Sequence, residues 1–303
     1  MLDNTKDLLK ETYGFKENTF ELYERALKDC EEQFKMYDEI REFNQMKVLK
    51  AFQDERISDS HFTNSSGYGY DDMGRDSLDK VYARIFKAES AIVRPHFVNG
   101  THAIGSALFG NLRPGNTLLC VSGKPYDTSH NIIGISGDEN IGSLKEYGVN
   151  YGQVDLTDEG KFDLEGIKKA LEDPSVRIVH IQRSTGYGWR NSFSVKEIGE
   201  VISYIKGIRN DINVFVDNCY GEFIDVIEPT EVGADIIAGS LIKNIGGGIA
   251  PAGGYIVGKK ELVEQAAYRL TVPGIGGEGG YIWPYENFIP RIIFSTSYSN
   301  GSC

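Results

Sequence analysis

The chain has 303 residues, of which 40% are hydrophobic and 25% are charged, so it is long enough to bury a sizeable core. Its formal net charge is −12, and this acidic balance argues against nucleic acid and anionic membrane surfaces as partners. No apolar run approaches the roughly 18 residues of a membrane span. The four cysteines are scattered without a CxxC pair, which disfavours a disulfide framework or a zinc site and favours a reducing cytoplasm.

Helix-forming residues dominate the start of the chain. Residues 20–56 contain neither Gly nor Pro, so we predict an N-terminal helical arm over residues 1–63. The first fifteen residues alternate charged and apolar side chains, which is not the pattern of a secretory signal. A patch rich in Gly and Tyr follows at 64–75 and predicts a loop that bounds the main domain.

Short β-branched runs then alternate with helical stretches as far as residue 270. The alternation predicts an α/β fold with a mostly parallel sheet covered by helices. The predicted strands are 91–95, 117–122, 176–182, 213–218, 234–240 and 253–258, and helical spacing is seen at 164–171 and 195–208. Because open parallel sheets bind ligands at the carboxyl ends of their strands, the residues that follow these runs are the site candidates.

The first candidate is Lys243, which lies between the run 234–240 and a glycine triplet. Burial lowers the pKa of a lysine, and only the neutral amine attacks an aldehyde, so an imine-forming lysine belongs in a pocket at such a strand end. The second candidate is Asp217, an acid that closes an otherwise apolar run; a pyridinium nitrogen is the kind of partner that a buried carboxylate needs. A solvated loop lysine and a helix N-cap aspartate are the alternatives.

The segment Asn99-Gly100-Thr101-His102 opens a predicted helix after the first strand. Free backbone amides and the helix dipole make such an N-terminus suited to a cofactor phosphate, although simple N-capping by Asn99 or Thr101 explains the same residues. His102 alone is a poor candidate for a catalytic base.

Aromatic and basic residues follow two further strands. Tyr126 could stack on a planar ring or belong to the core, while Arg183 and Arg190 suit either an anionic ligand or a surface loop of ion pairs. Each signal is weak alone. Together the strand ends offer a phosphate cradle, a ring-stacking aromatic, a ring-nitrogen acid and an imine lysine, which predicts a cofactor site.

Seven segments in order carry a family resemblance: GYGYDDMGRDSLDKVYARIF, RPHFVNGTHAI, PYDT, IQRSTGYGWR, VDNCYGEF, EPTEVGADIIAGSLIKNIGGGIAPAGGYIVG and RLTVPGIGGEGG. They resemble the bacterial aluminium-resistance, methionine γ-lyase-like family over residues 10–280. The resemblance implies the aspartate aminotransferase-like fold (fold type I), pyridoxal 5′-phosphate (PLP) as cofactor, and a homodimer or homotetramer. It also implies carbon–sulfur bond cleavage in a small amino-acid substrate, of the cystathionine β-lyase or methionine γ-lyase type.

When the family's residue roles are carried over by position, the resemblance implies a role for each matching residue of the large domain, 64–280. Lys243 forms the imine and removes the α-proton, Asp217 pairs with the pyridine nitrogen, and Tyr126 stacks on the ring. The phosphate is surrounded by Gly100, Thr101 and Ser240, with Asn99 and His102 in the same segment. Weaker transfers place Arg190 near the ring hydroxyl, and Tyr68 or Tyr70 at a neighbouring subunit's phosphate. Ile242 departs from the threonine that usually precedes the lysine, so phosphate contacts differ there.

Residues 281–303 lack helical or strand periodicity, whereas the family continues into a smaller C-terminal domain that holds the arginine for the substrate carboxylate. Codons compatible with 282–303, read one nucleotide later, can spell a family-like continuation. We therefore hypothesise an aberrant, frameshifted tail, a missing small domain and impaired turnover. The alternatives are an aminotransferase of the same fold and a non-catalytic truncated remnant. No cluster with metal-ligand spacing is visible.

Overall fold

Strands and helices alternate along the chain from Met73 to Leu270, which confirms the predicted α/β fold. The computed structural model describes residues 3–63 and 68–279. The strands are β1 (Ser90–Arg94), β2 (Thr117–Cys120), β3 (Asn150–Gln153), β4 (Val176–Gln182), β5 (Asn213–Asp217), β6 (Ile236–Ser240) and β7 (Gly254–Gly258). The helices are α1 (Asp3–Tyr13), α2 (Glu17–Asp29), α3 (Glu31–Asp54), α4 (Met73–Ile85), α5 (Gly100–Asn111), α6 (Asp127–Ile133), α7 (Leu164–Ala170), α8 (Val195–Ile208) and α9 (Lys260–Leu270).

The strands of the described chain form one sheet in the order β1-β7-β6-β5-β4-β2-β3. β7 runs antiparallel to both of its neighbours, and the remaining pairs are parallel, so the prediction of a mostly parallel sheet is confirmed. Strand β3 was not predicted. Its sequence, Asn-Tyr-Gly-Gln, lacks the apolar run of the buried strands because it lies at the edge of the sheet, where its side chains stay partly exposed.

Two hydrophobic clusters cover the two faces of the sheet, and alternate residues of one strand enter alternate clusters. In β5, Val214 and Val216 pack into the cluster with α4 and α8, whereas Phe215 packs into the cluster with α5 and α9. The same period of two places Asp217 on the face of Phe215, which is the α5 face. The carboxyl ends of β5 and β6 therefore present their last side chains beneath the start of α5.

The helical arm predicted at the N-terminus is formed by α1, α2 and α3, with a break at Cys30 between the second and third helices. The end of α3 joins the larger hydrophobic cluster through the buried side chains of Val48, Ala51 and Phe52. The Asn44 side-chain amide anchors the arm further, since its Nδ2 donates to the carbonyl oxygens of Phe223, at 3.2 Å, and Asp225, at 3.0 Å. α3 is thus fixed to the loop that follows β5.

Two stretches of interest lie outside the described residues. They are residues 64–67, within the predicted Gly- and Tyr-rich loop, and residues 280–303, which hold the tail for which a frameshift was hypothesised. In the part of the chain that the structure does describe, no helix is long and apolar enough to cross a membrane. Among the same residues, no group of three His, Cys, Asp or Glu side chains is placed to hold a metal ion.

Candidate active site

Three of the segments predicted to form the site meet at the carboxyl ends of β5 and β6. Asp217, the last residue of β5, is 5% exposed, and Ser240, the last residue of β6, is fully buried. Gly100 begins α5 directly against them: a Cβ atom there would lie 2.9 Å from the Ser240 Cβ and 3.0 Å from the Cys219 Sγ. Only glycine permits this approach of helix to strand.

Lys243 lies three residues after the end of β6, with its side chain half-buried over the loop that follows β5. Its Nζ atom is 4.2 Å from the centre of the Tyr220 ring, and the Cys219 thiol lies close enough to act on its charge. Burial lowers the pKa of this amine, but Cys219, Asp217 and Tyr220 raise it by more, so the net pKa lies above the ordinary value for lysine. The reasoning from burial alone gives the opposite direction, because it omits these acidic neighbours.

The carboxylate of Asp217 is held by the chain that follows it. Its Oδ1 atom accepts a hydrogen bond of 3.0 Å from the backbone N–H of Cys219. On the adjacent strand, His180 stacks on Phe215 with 5.4 Å between ring centres, and burial lowers the pKa of His180 to about 4 although the Asp217 charge opposes this. A histidine with that pKa is neutral at neutral pH, so Asp217 does not pair with a histidine cation there.

The N-terminus of α5 combines capping with free amides. The Asn99 Oδ1 accepts from the His102 N–H at 3.0 Å, and the His102 ring accepts from the Val98 N–H through Nδ1 at 3.2 Å. The capping alternative therefore accounts for Asn99, and His102 has a local structural contact. The Thr101 hydroxyl lies 3.0 Å from the Thr128 hydroxyl. Helix geometry leaves the first amides, those of Gly100 and Thr101, without an intrahelical acceptor.

Tyr126 is held beside the site by the strand β4. Its backbone N–H donates to the Gln182 Oε1 at 2.6 Å. Its ring stacks on Tyr187 with 5.5 Å between centres, and its hydroxyl donates to the Tyr187 hydroxyl at 3.3 Å. That hydrogen bond is the main cause that raises the pKa of Tyr126 to about 12. The stacking of Tyr126 on a cofactor ring stays a prediction, because the aromatic partner in this structure is Tyr187.

The two arginines after β4 both contact protein groups. The Arg183 guanidinium is buried and donates to the Asn218 Oδ1 at 3.0 Å, to the Gly221 carbonyl at 2.6 Å and to the Asp225 carboxylate at 2.7 Å. Arg190 donates to the carbonyl oxygens of Gln182, Ser184 and Asn191, and its guanidinium lies 4.5 Å from the centre of the Phe193 ring. The predicted contact of Arg190 with a ring hydroxyl stays a prediction.

A buried acid supports the loop between β5 and β6 from the opposite face of the sheet. Burial raises the pKa of Glu222 to about 8, even though the Tyr255 hydroxyl donates to its Oε1 at 2.8 Å. Glu228, also fully buried, accepts from the Phe223 N–H at 2.9 Å and from the Asn218 side chain at 3.2 Å. These contacts fix the loop that carries Cys219 and Tyr220.

Tyr68 and Tyr70 lie on the surface, 83% and 60% exposed, with 6.1 Å between their ring centres. They follow directly on residues 64–67, which are not described, and their predicted contact with a neighbouring subunit stays a prediction.

The structure thus brings Gly100, Asp217, Ser240 and Lys243 into one cluster. Our reading of the sequence did not single out Cys219 and Tyr220, which contact the lysine, or Gln182, which holds Tyr126. A signal for the first two was present, since both follow the acid that closes β5. Their contact with Lys243 depends on a turn of the chain that periodicity does not reveal.

The chain matches a known protein family over most of its length and is similar to several known proteins. The model of a family described as methionine gamma-lyase matches residues 19–291. A solved structure of a carbon-sulfur lyase involved in aluminum resistance from Clostridium novyi NT is 60% identical, with a TM-score of 0.95. That alignment covers 99% of this chain and 71% of the other.

Two further proteins show how much of a relative's length this chain covers and which fold it shares. The YnbB protein of Bacillus subtilis is 52% identical over 246 residues, which are 81% of this chain and 58% of that protein. The chain therefore spans little more than half the length of this relative. The YhfS protein of Escherichia coli, described as pyridoxal-5′-phosphate dependent, is only 17% identical but has a TM-score of 0.66 over 86% of this chain and 64% of its own. This likeness confirms the predicted fold type.

Proposed function

Because the chain belongs to the methionine gamma-lyase family, we propose that it forms the cofactor-binding part of a carbon–sulfur lyase in which Lys243 holds PLP. The predictions of an enzyme and of PLP as its cofactor are confirmed at the level of the family and fold. The observation that carries the proposal is the cluster of Lys243, Asp217 and Gly100 at the carboxyl ends of β5 and β6. In this proposal residues 64–280 form the large domain and residues 1–63 the helical arm.

The residues present fit a phosphorylated, planar cofactor. The close approach of Gly100 to Ser240 brings the start of α5 to the strand ends, and a Cβ at residue 100 would fill the space between them. The Thr101 and Ser240 hydroxyls are the side-chain donors for the phosphate beside these amides. Asp217, on the same face of the sheet, would pair with the ring nitrogen, and Tyr126 would cover the ring after leaving Tyr187.

The cofactor, when bound, supplies an electron sink that makes the α-proton of an amino acid acidic. The amine of Lys243 would bind the cofactor aldehyde and, when free, take that α-proton at Nζ. The carboxylate of Asp217 would keep the ring nitrogen protonated. The hydroxyl of Tyr126 would stay protonated across the physiological pH range, because its pKa is raised to about 12, and could donate to a departing thiolate.

For the substrate, we propose a small sulfur-containing amino acid, of the cystathionine or methionine type, cleaved by β- or γ-elimination. The relative described as a carbon-sulfur lyase supports this class. The net charge of −12 accords with a small-molecule substrate and not with nucleic acid. A homodimer or homotetramer is part of the proposal, with Tyr68 and Tyr70 on the exposed surface available to a second copy.

The test is to purify the 303-residue chain, add PLP, record its visible spectrum and then assay thiol release. We expect a visible imine band that is absent in Lys243→Ala and unchanged in Lys196→Ala, a variant of an exposed lysine on α8. Thiol and 2-oxo acid should form together from a sulfur amino acid. A band that persists in Lys243→Ala would contradict the role of Lys243, and glutamate-dependent exchange of oxo acids without thiol release would favour an aminotransferase.

A further inference from the structure

Lys243 lies beside two consecutive residues of the loop that follows β5, Cys219 and Tyr220. The Tyr220 ring lies 4.2 Å from Nζ, and the neighbouring Cys219 thiol acts on the charge of the same amine. Attraction between an ammonium group and the face of an aromatic ring is strongest where both are partly withdrawn from water. Lys243 is half-buried whereas Tyr220 is 51% exposed, so the attraction acts on an amine that is itself partly withdrawn from water.

The backbone of this loop is fixed in an unfavourable conformation. Tyr220 has φ = 67°, in the left-handed region that residues with a Cβ rarely adopt. The Asn244 side chain, directly after the lysine, donates to the Tyr220 carbonyl at 2.9 Å. The two segments that carry Tyr220 and Lys243 are therefore joined through backbone as well as through side chains. Strain kept at a site by its surroundings is a reason to look for a function there.

Cys219 is itself held in place. Its N–H donates to Asp217 at 3.0 Å, and its Sγ atom lies where a Cβ on Gly100 would be 3.0 Å away. Burial is the main cause that raises the pKa of this thiol well above its ordinary value, and the nearby charge of Lys243 opposes that shift. A thiol so placed links the acid, the start of α5 and the lysine.

We propose that Cys219 and Tyr220 are positioning residues that hold the amine of Lys243 at the cofactor site, an inference that rests on the function proposed above. The thiol orients the amine by hydrogen bonding, and the ring stabilises its positive charge. Cys219 and Tyr220 act on the amine from the loop after β5, together with the nearby carboxylates of Asp217 and Glu222. Removing either contact favours the neutral amine.

The test measures acetylation of Lys243 against pH in the cofactor-free 303-residue chain by peptide mass spectrometry, with exposed Lys196 as the internal reference. Cys219→Ala and Tyr220→Leu each remove one contact, whereas the matched controls Cys219→Ser and Tyr220→Phe keep a hydroxyl or a ring. We expect each truncated variant to be acetylated about two- to fivefold faster than wild type below the midpoint pH, with a lower midpoint. The two conservative variants should restore the wild-type profile.

Unchanged midpoints in both truncated variants, or equal shifts in the truncated and conservative ones, would overturn the inference. If Tyr220→Leu fails to fold, the pair at Cys219 decides the question. The result is independent of the proposed function: an imine band that requires Lys243 with no midpoint shift rejects only the positioning role. A midpoint shift in a chain that forms no imine with PLP rejects the proposed function and leaves the contact intact.

Discussion

A Cβ atom at Gly100 would lie 2.9 Å from the Cβ of Ser240, so the first turn of α5 and the end of β6 are in contact through a position that has no room for a side chain. Both partners are buried, and neither belongs to a flexible side-chain end that could move away. The phosphate cradle proposed above depends on this contact.

We expect Gly100→Ala to destabilise the chain by about 1–3 kcal/mol, because the added methyl group forces α5 away from β6. The matched control is Gly207→Ala on α8, where an added Cβ would meet no atom within 4 Å. That control should gain about 0.5–1 kcal/mol from the lower backbone entropy of alanine. Urea denaturation measures both, and an equal response of the two variants would show that the contact is not tight.

The buried Glu222 predicts a dependence of stability on pH. Its carboxyl has a folded-state pKa of about 8, above the ordinary glutamate value of 4.5, so the folded chain retains a proton that the unfolded chain loses. Its contribution to the free energy of unfolding is therefore fully present below pH 4.5 and falls by up to about 1.4 kcal/mol per pH unit as the pH rises to about 8.

Glu222→Gln keeps the shape and removes this titration. We expect the stability of the variant relative to wild type, measured by urea denaturation, to increase steadily from pH 5.5 to pH 8. A difference between the two proteins that does not change with pH would mean that Glu222 is already ionised in the folded chain.

We expect a large loss of stability when Arg94 is substituted. Its guanidinium is buried and forms two hydrogen bonds with the Asp79 carboxylate, at 2.6 and 2.8 Å, and one with the Gly277 carbonyl at 3.0 Å. Arg94→Met leaves the acid without its cation and should cost about 3 kcal/mol. Arg177→Met is the control: its pair with Asp211 is half-exposed on both sides, so the loss should stay below about 1 kcal/mol. Comparable losses in thermal or urea unfolding would contradict the distinction.

Substitution of Tyr187 should change the pKa of the neighbouring Tyr126. Its hydroxyl is the main cause of the raised pKa of Tyr126, so Tyr187→Phe should lower that pKa from about 12 towards the ordinary value for tyrosine. Carbon-13 labelling of the tyrosine ring carbons with NMR titration measures it, and Tyr126→Phe identifies the signal. An unchanged titration would mean that the two hydroxyls do not share a hydrogen bond in solution.

The buried strands and the best-patterned helix could be predicted from the sequence. The run 176–182 and the helical stretch 195–208 coincide with β4 and α8, because apolar periodicity reports burial directly. Strand β3 was missed because an edge strand needs little apolar surface. The position of the break at Cys30 was not predicted, because the stretch around it is rich in helix-forming residues and contains neither Gly nor Pro.

The site divides in the same way. Lys243 and Asp217 could be proposed because each follows a recognisable strand, and the parallel sheet brings such ends together. Two features of the site could not be predicted from the sequence: the raised pKa of Lys243 and the hydrogen bonds of Arg190 to backbone carbonyls. Both depend on contacts made by loops. The conformation of a loop is set by turns and by buried polar contacts such as those of Arg183. These produce no periodic pattern of apolar residues in the sequence.

The reversed direction of β7 has a consequence for the lysine. A parallel neighbour would require a connection that crosses to the other end of the sheet, whereas the antiparallel pair of β6 and β7 is joined at the edge of the site by residues 241–253. The Leu241 N–H donates to the Gly253 carbonyl at 3.1 Å, which closes that connection at its base. Lys243 thus lies in a connection whose first and last residues are joined by a backbone hydrogen bond, so the position of its amine is set relative to the paired ends of β6 and β7.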